Sequence, residues 1–224
     1  EEDEVKSGGE RFLEFTARCC KEGILPENCY CVRLYRTTYE GERLVNTTQV
    51  NYVDPLDRKQ ILEADQELRH QMNIITDFLR KYVPGYEHCT IKTGASTLGI
   101  RESRRFSGKY VMNISDLREA RRFPDVVVHK AQFVVDIHNP VGGGQANGIA
   151  EYVDAYDIPW RSLVPQKMEN LILAGRCISG THEAMASYRV MAIAMAIGEA
   201  AGIGAALAID CLLYTSPSPR DGAT

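Results

Sequence analysis

The chain has 224 residues, 44% of them hydrophobic and 25% charged, with a formal net charge of −4. These are ordinary globular values, with chain enough for one large domain or two small ones. The acidic balance argues against a nucleic-acid partner, because no basic stripe is present to neutralise phosphates.

The chain opens on EEDEVKSGGE, without an initiator Met or a signal peptide, and this charged stretch reads as an internal loop. Arg11–Lys21 carries Phe12, Phe15, Cys19 and Cys20 at near-helical spacing, and Gly23 and Pro26 close that helix. Cys29–Arg36 and Arg43–Tyr52 alternate and are rich in Val, Tyr and Thr, so the Tyr39-Glu40-Gly41-Glu42 turn between them predicts a hairpin. Asp54-Pro55 starts a helix running to about Tyr82 on Ile61, Leu68, Met72, Ile75 and Phe78, and Pro84-Gly85 ends it.

Short strands are predicted around Glu87–Lys92, Gly99–Arg104 and Tyr110–Met112, followed by a helix start with Ser115 as its N-cap. Val126–Val128, Phe133–Ile137, Tyr152–Pro159 and Ser162–Val164 are further strand-like runs, and Pro140–Gly148 is a glycine loop. Leu171-Ile172-Leu173-Ala174 reads as a short buried strand that stops at Gly175-Arg176. A polar loop, Cys177–Glu183, leads into one long Ala/Gly-rich helix with almost no polar face. A strand, a glycine turn and a buried helix N-terminus make a site for a negatively polarised ligand atom. Arg189 and Glu199 inside the apolar run argue against a membrane partner.

Seven cysteines are present and none forms a CxxC, so zinc-ribbon and redox-dithiol signatures are missing and no metal ligand set is assigned. Reduced thiols are the expectation, with Cys29-x-Cys31 on a strand-like stretch a weak metal or disulfide alternative. The candidate binding residues are basic. Arg101, Ser103 and Arg105 would share one face of an extended strand, and Glu102 and Arg104 the other. Guanidinium groups clamp carboxylates and phosphates in a bidentate geometry, which suits an anionic ligand as well as a salt-bridge network centred on Glu102. His138, after the apolar run Phe133–Ile137 and before the glycine loop, is placed for proton transfer, and His182 in the Cys177–Glu183 loop is the second candidate.

Four pieces in order carry a family resemblance: Arg101-Glu102-Ser103-Arg104-Arg105 with Gly108 and Tyr110; Asp136-Ile137-His138-Asn139-Pro140; Tyr156-Asp157-Ile158-Pro159 with Arg161-Ser162-Leu163-Val164-Pro165; and Asn170–Ile209. Together they resemble the FAD-dependent oxidoreductase family that includes the flavoprotein-like subunit of heterodisulfide reductases, over roughly Asn46 to Ile209. Such a protein opens with a strand–GxGxxG–helix unit, which this sequence lacks, so the resemblance implies a C-terminal fragment. Residues 211–221, CLLYTSPSPRD, resemble translated sequencing-library adapter.

The fold class so implied is α/β, α+β in part. A mixed-sheet substrate-binding region over 1–165 would precede the C-terminal strand–helix of a Rossmann-like FAD domain over 166–210, and 211–224 would be a tail. The cofactor implied is FAD. Iron–sulfur relatives leave a 4Fe-4S cluster open in an intact parent, although no ferredoxin-type cysteine run occurs here. A small-molecule substrate, an electron-transfer partner and a cytoplasmic location are the corresponding expectations. The resemblance assigns Arg101 and Arg104 to substrate orientation and His138 to acid–base work. It assigns Ala174, Gly175, Arg176, Ser187, Arg189 and Val190 to the flavin, with the helix start near Ser187–Val190 facing its O2/N1 edge. A helix N-terminus stabilises negative charge there by about 0.5–2 kcal/mol. This chain has Ala192, Glu199 and Trp160 where many relatives have Pro, Gln and Tyr. Rival readings are a flavin-scaffolded hydratase or isomerase, and a non-enzymatic domain that binds a glycan or partner through the hairpin Tyr30–Tyr52.

Overall fold

The computed structural model describes residues 11–137 and 150–211. The chain divides into two units: Glu1–Ile100 with His138–Ile149, and Arg101–Ile137 with Ala150–Thr224. His138 and the glycine loop that follows it lie outside the described residues.

In the first unit, α1 (Phe12–Lys21) buries Phe12, Phe15, Thr16 and Cys19, which share one helical face. Gly23, at φ +74°, lets the chain turn back after it. The predicted hairpin is present as β1 (Arg33–Arg36) and β2 (Arg43–Asn46), antiparallel with Leu34 opposite Val45. Both strands are shorter than expected. Pro26 and the turn at Glu27–Cys29 hold Cys29 out of β1, and its thiol donates to Gln71 Oε1. The long helix α2 (Arg58–Tyr82) starts on Asp57, whose carboxylate accepts from the Lys59 and Gln60 N–H groups. Ala64, Gln71, Ile75 and Phe78 line its buried face, and Phe78 stacks on Phe15 at 5.7 Å between ring centres. Gln71 is 1% exposed and fully used: its Oε1 accepts from Gln49 N, and its Nε2 donates to Gln49 O and Glu67. A buried amide thereby clamps the segment after β2 to α2. The predicted strand Glu87–Lys92 is irregular.

In the second unit, α3 (Ile114–Arg118) begins two residues earlier than expected. Asn113, not Ser115, is its N-cap, with Asp116 completing a capping box. β3 (Val126–Ala131) pairs antiparallel with β4 (Tyr156–Pro159), which is buried at all four positions. The irregular register centres on Asp157: its Oδ1 accepts from Lys130 N and from Arg122, and meets His129, while Lys130 sits at φ +57°. Phe133–Ile137 forms a single bridge, Val135 to Glu151, and Ser162 belongs to a 3₁₀ turn, Trp160–Ser162. The fold class is mixed α/β, with helices beside small antiparallel sheets.

Two expectations for the closing segment are corrected. Leu171–Ala174 is not a strand: Leu173 N donates to Leu163 O, but no strand lies alongside among the described residues to continue a ladder. The closing helix is two helices, α4 (His182–Tyr188) and α5 (Met191–Cys211). The break falls where the guanidinium of Arg189 is tied to both the carbonyl and the carboxylate of Asp136. α5 is also less buried than its composition suggests. Ile193 and Ile197 pack inward, whereas Met191, Met195, Ile203 and Leu207 are exposed. A two-stranded sheet covers only one stripe of a helix that is apolar all round. By length and composition alone α5 is long and apolar enough to cross a membrane.

Candidate functional site

The cleft that gathers the sequence candidates lies wholly in the second unit. Arg101, Glu102, Ser103, Arg104 and Arg105 line it from one segment, and Arg176, Cys177 and Met185 from two others, around a volume of about 140 Å³. Three anchors hold the 101–105 segment in place. Gly108 packs where a side chain would meet Ser179 at 2.8 Å and the Arg161 carbonyl at 3.0 Å. Lys109 N donates to Val164 O, and Met112 N to Ser179 O. Tyr110 donates to the fully buried Asp116, beneath Arg161, which stacks on the Tyr110 ring and pairs with Asp125 through two bonds. The Gly108, Tyr110 and Tyr156–Pro165 pieces of the resemblance are thus packing elements that position the arginines.

The segment 101–105 departs from the alternating strand that its pattern predicts. Glu102 pairs with Arg105, three residues on, through one carboxylate oxygen, and its other oxygen is 2.5 Å from His182 Nδ1. A strand sends positions i and i+3 to opposite faces, so this double grip requires a curved backbone. Glu102 and Arg105 are half-buried, while Arg101 and Arg104 are exposed and make no hydrogen bond or ion pair with any described residue.

At the second edge, Gly175 adopts φ +73°, where a side chain would be strained although space is open. It starts the turn Gly175–Cys177, with Ala174 extended before it and exposed. Of the other residues assigned to the flavin, Ser187 is fully buried and committed: its hydroxyl donates to the Phe133 carbonyl and meets the Tyr156 hydroxyl at 2.8 Å. Burial pushes that tyrosine up to about 12. Arg189 is largely enclosed and paired with Asp136 at 2.7 Å. Burial and then the neighbouring Arg101 lower its proton affinity, and Asp136 opposes them. Val190 ends the break, its carbonyl accepting the first α5 bond, from Ala194. The structure therefore brings Arg101, Arg104 and Arg176 to one cleft and places Arg189 within electrostatic reach of Arg101 and Arg176. Ser187 faces the interior.

Glu102, Arg105 and His182 were all named from the sequence, Glu102 as the centre of a salt-bridge network and His182 as the second histidine candidate, but their pairing with one another was not, because it depends on the curve. The His182 contact spans 80 positions and left no local signal. Cys20, Cys29, Cys31, Cys89 and Cys177 carry free thiols; burial raises Cys20 to about 12 and Cys29 to about 11, so both are protonated. No group of three or more metal-binding side chains occurs among the described residues. The donor set fits an anionic cofactor or substrate group, because the exposed guanidiniums of Arg101 and Arg104, without a carboxylate partner among the described residues, converge on one cleft.

A family model described as FAD dependent oxidoreductase matches residues 3–213. No curated protein and no solved structure matches the chain.

Proposed function

The chain belongs to the FAD dependent oxidoreductase family, and from that premise we propose that it is the substrate-binding and C-terminal part of a flavoenzyme like the flavoprotein component of heterodisulfide reductases. FAD, when bound, supplies the acceptor for a hydride or electrons leaving a small substrate. Arg101 and Arg104 orient that substrate by its negative group, because they are the cleft's uncommitted cations among the described residues. Ala174, Gly175 and Arg176 hold the cofactor's chain, with Gly175 keeping the backbone open there. Arg189, braced by Asp136, sets the direction in which α5 begins, so that the helix N-terminus lends positive potential to the site. His138 moves the substrate's proton. The partners we propose are this substrate and an electron-transfer protein, rather than lipid or nucleic acid.

The observation that carries this reading is the arginine cleft within a chain matched by the family model over 3–213. Its test is flavin uptake by the polypeptide of the complete reading frame, purified gently and given excess FAD. The expected result is a protein that retains flavin and is bleached by substrate without oxygen. A colourless protein that takes up no FAD overturns the reading. Turnover with the flavin oxidised throughout would replace it with the non-redox alternative.

A further inference from the structure

We propose that the arginine cleft is a proton-coupled clamp for a small carboxylate: its capture by Arg101 and Arg104 is accompanied by uptake of one proton from solvent on Nε2 of His182, a charge that Glu102 stabilises from the Nδ1 side. The inference deepens the reading above and rests on it only for calling the anion a substrate.

The charge on the cleft is the first reason. Its lining carries Arg101, Arg104, Arg105 and Arg176 against Glu102 as the one acid. Arg105 is already engaged by Glu102, and Arg101 and Arg104 have no partner among the described residues. Arg101 and Arg104, held together without a counter-charge among the described residues, favour an incoming anion. The proton affinity of Arg189 is lowered first by its burial and then by Arg101, with Arg176 acting in the same direction. The volume, about 140 Å³, has room for a carboxylate on a short stem.

The second reason is how Glu102 is shared. One oxygen meets Arg105 and the other His182 Nδ1. A carboxylate only accepts, so Nδ1 carries hydrogen and donates, which leaves Nε2 as the nitrogen that gains a proton. An anion in the cleft competes with Glu102 for Arg105. It also brings negative charge close to the imidazole. Both effects favour the imidazolium, so binding draws a proton from solvent. The other charges facing His182 are Glu183, next to it on α4, and through Glu183 the cations Arg105 and Arg118. Glu183 and Arg118 lie outside the cleft lining.

The test is calorimetric titration of the full chain with malonate, in two cationic buffers of different ionisation enthalpy, between about pH 6 and 7.5, where imidazoles titrate. His182 is followed in parallel by nitrogen-detected NMR, so the readout needs neither FAD nor turnover. The expected result is uptake of a large fraction of a proton per malonate, with the His182 titration displaced upward. His182→Asn should bind malonate without proton uptake. Glu102→Gln should bind it severalfold more tightly, with smaller uptake. Arg101→Gln with Arg104→Gln should lose about tenfold or more in affinity. Absence of malonate binding, binding without proton exchange, or uptake that survives in His182→Asn overturns the proposal. ADP added as a competitor separates the sources of the anion: coexistence with malonate supports a substrate carboxylate, and displacement assigns the cleft to the cofactor's phosphates, overturning the substrate claim. Flavin uptake is scored separately, so a chain that takes malonate with a proton but rejects FAD refutes the oxidoreductase reading and leaves the clamp standing.

Discussion

Gly204 of α5 offers a measurement that the sequence has prepared for itself. A β-carbon added there would lie 2.3 Å from Cη2 and 2.6 Å from Cζ3 of Trp160, the single tryptophan of the chain. Ordinary contact begins near 3.4 Å, so in Gly204→Ala the indole edge must withdraw by about 1 Å. Overpacking of this kind costs about 1–3 kcal/mol. Removing a glycine from a helix interior returns about 1 kcal/mol. Gly202, two residues earlier, meets nothing within 4 Å, so Gly202→Ala receives only the helical gain. The difference between the two variants cancels that gain and isolates the contact: Gly204→Ala should be less stable than Gly202→Ala by about 1–3 kcal/mol. Urea unfolding followed by Trp160 fluorescence measures both. The native emission should change in Gly204→Ala alone, and Trp160→Leu should relieve most of the deficit. Equal stabilities with unchanged emission would refute the packing of α5 against Trp160.

Two further outcomes are expected. Arg189→Leu breaks a largely enclosed ion pair with Asp136, so it should cost about 3 kcal/mol by denaturant titration, whereas Arg18→Ala, which breaks an exposed i,i+4 pair with Glu22, should cost under about 1 kcal/mol. The Asp157 carboxylate is held below its ordinary 3.8. Burial opposes this lowering, and the Lys130 N–H and Arg122 overcome burial. A depressed folded value means its stabilisation is complete above the ordinary value and is lost as pH falls through the folded one. Asp157→Asn should therefore flatten the acid limb of the stability profile below about pH 4, as read by thermal melts from pH 2 to 7. An unchanged limb would remove Asp157 from that role.

Local pattern made much of this molecule legible. The apolar period of α1 and α2, the hairpin turn at Tyr39–Glu42 and the β3 and β4 cores were readable because each depends on residues close in sequence. The arginine-rich segment and the Gly175 turn stood out as a candidate site because their residue types are unusual together. What escaped depends on distant partners. The curve at 101–105 follows from Glu102 reaching His182, and the irregular Leu171–Ala174 from having no neighbouring strand.

The break between α4 and α5 has a consequence for how this chain tolerates change. Along an uninterrupted helix each residue fixes the bearing of the next at about 100°, so an insertion anywhere would swing every side chain beyond it. With α4 ending at Tyr188 and α5 restarting at Met191, His182 keeps its heading whatever the later helix does. Substitutions or length changes past Val190 can accumulate, or be engineered, without re-aiming the imidazole.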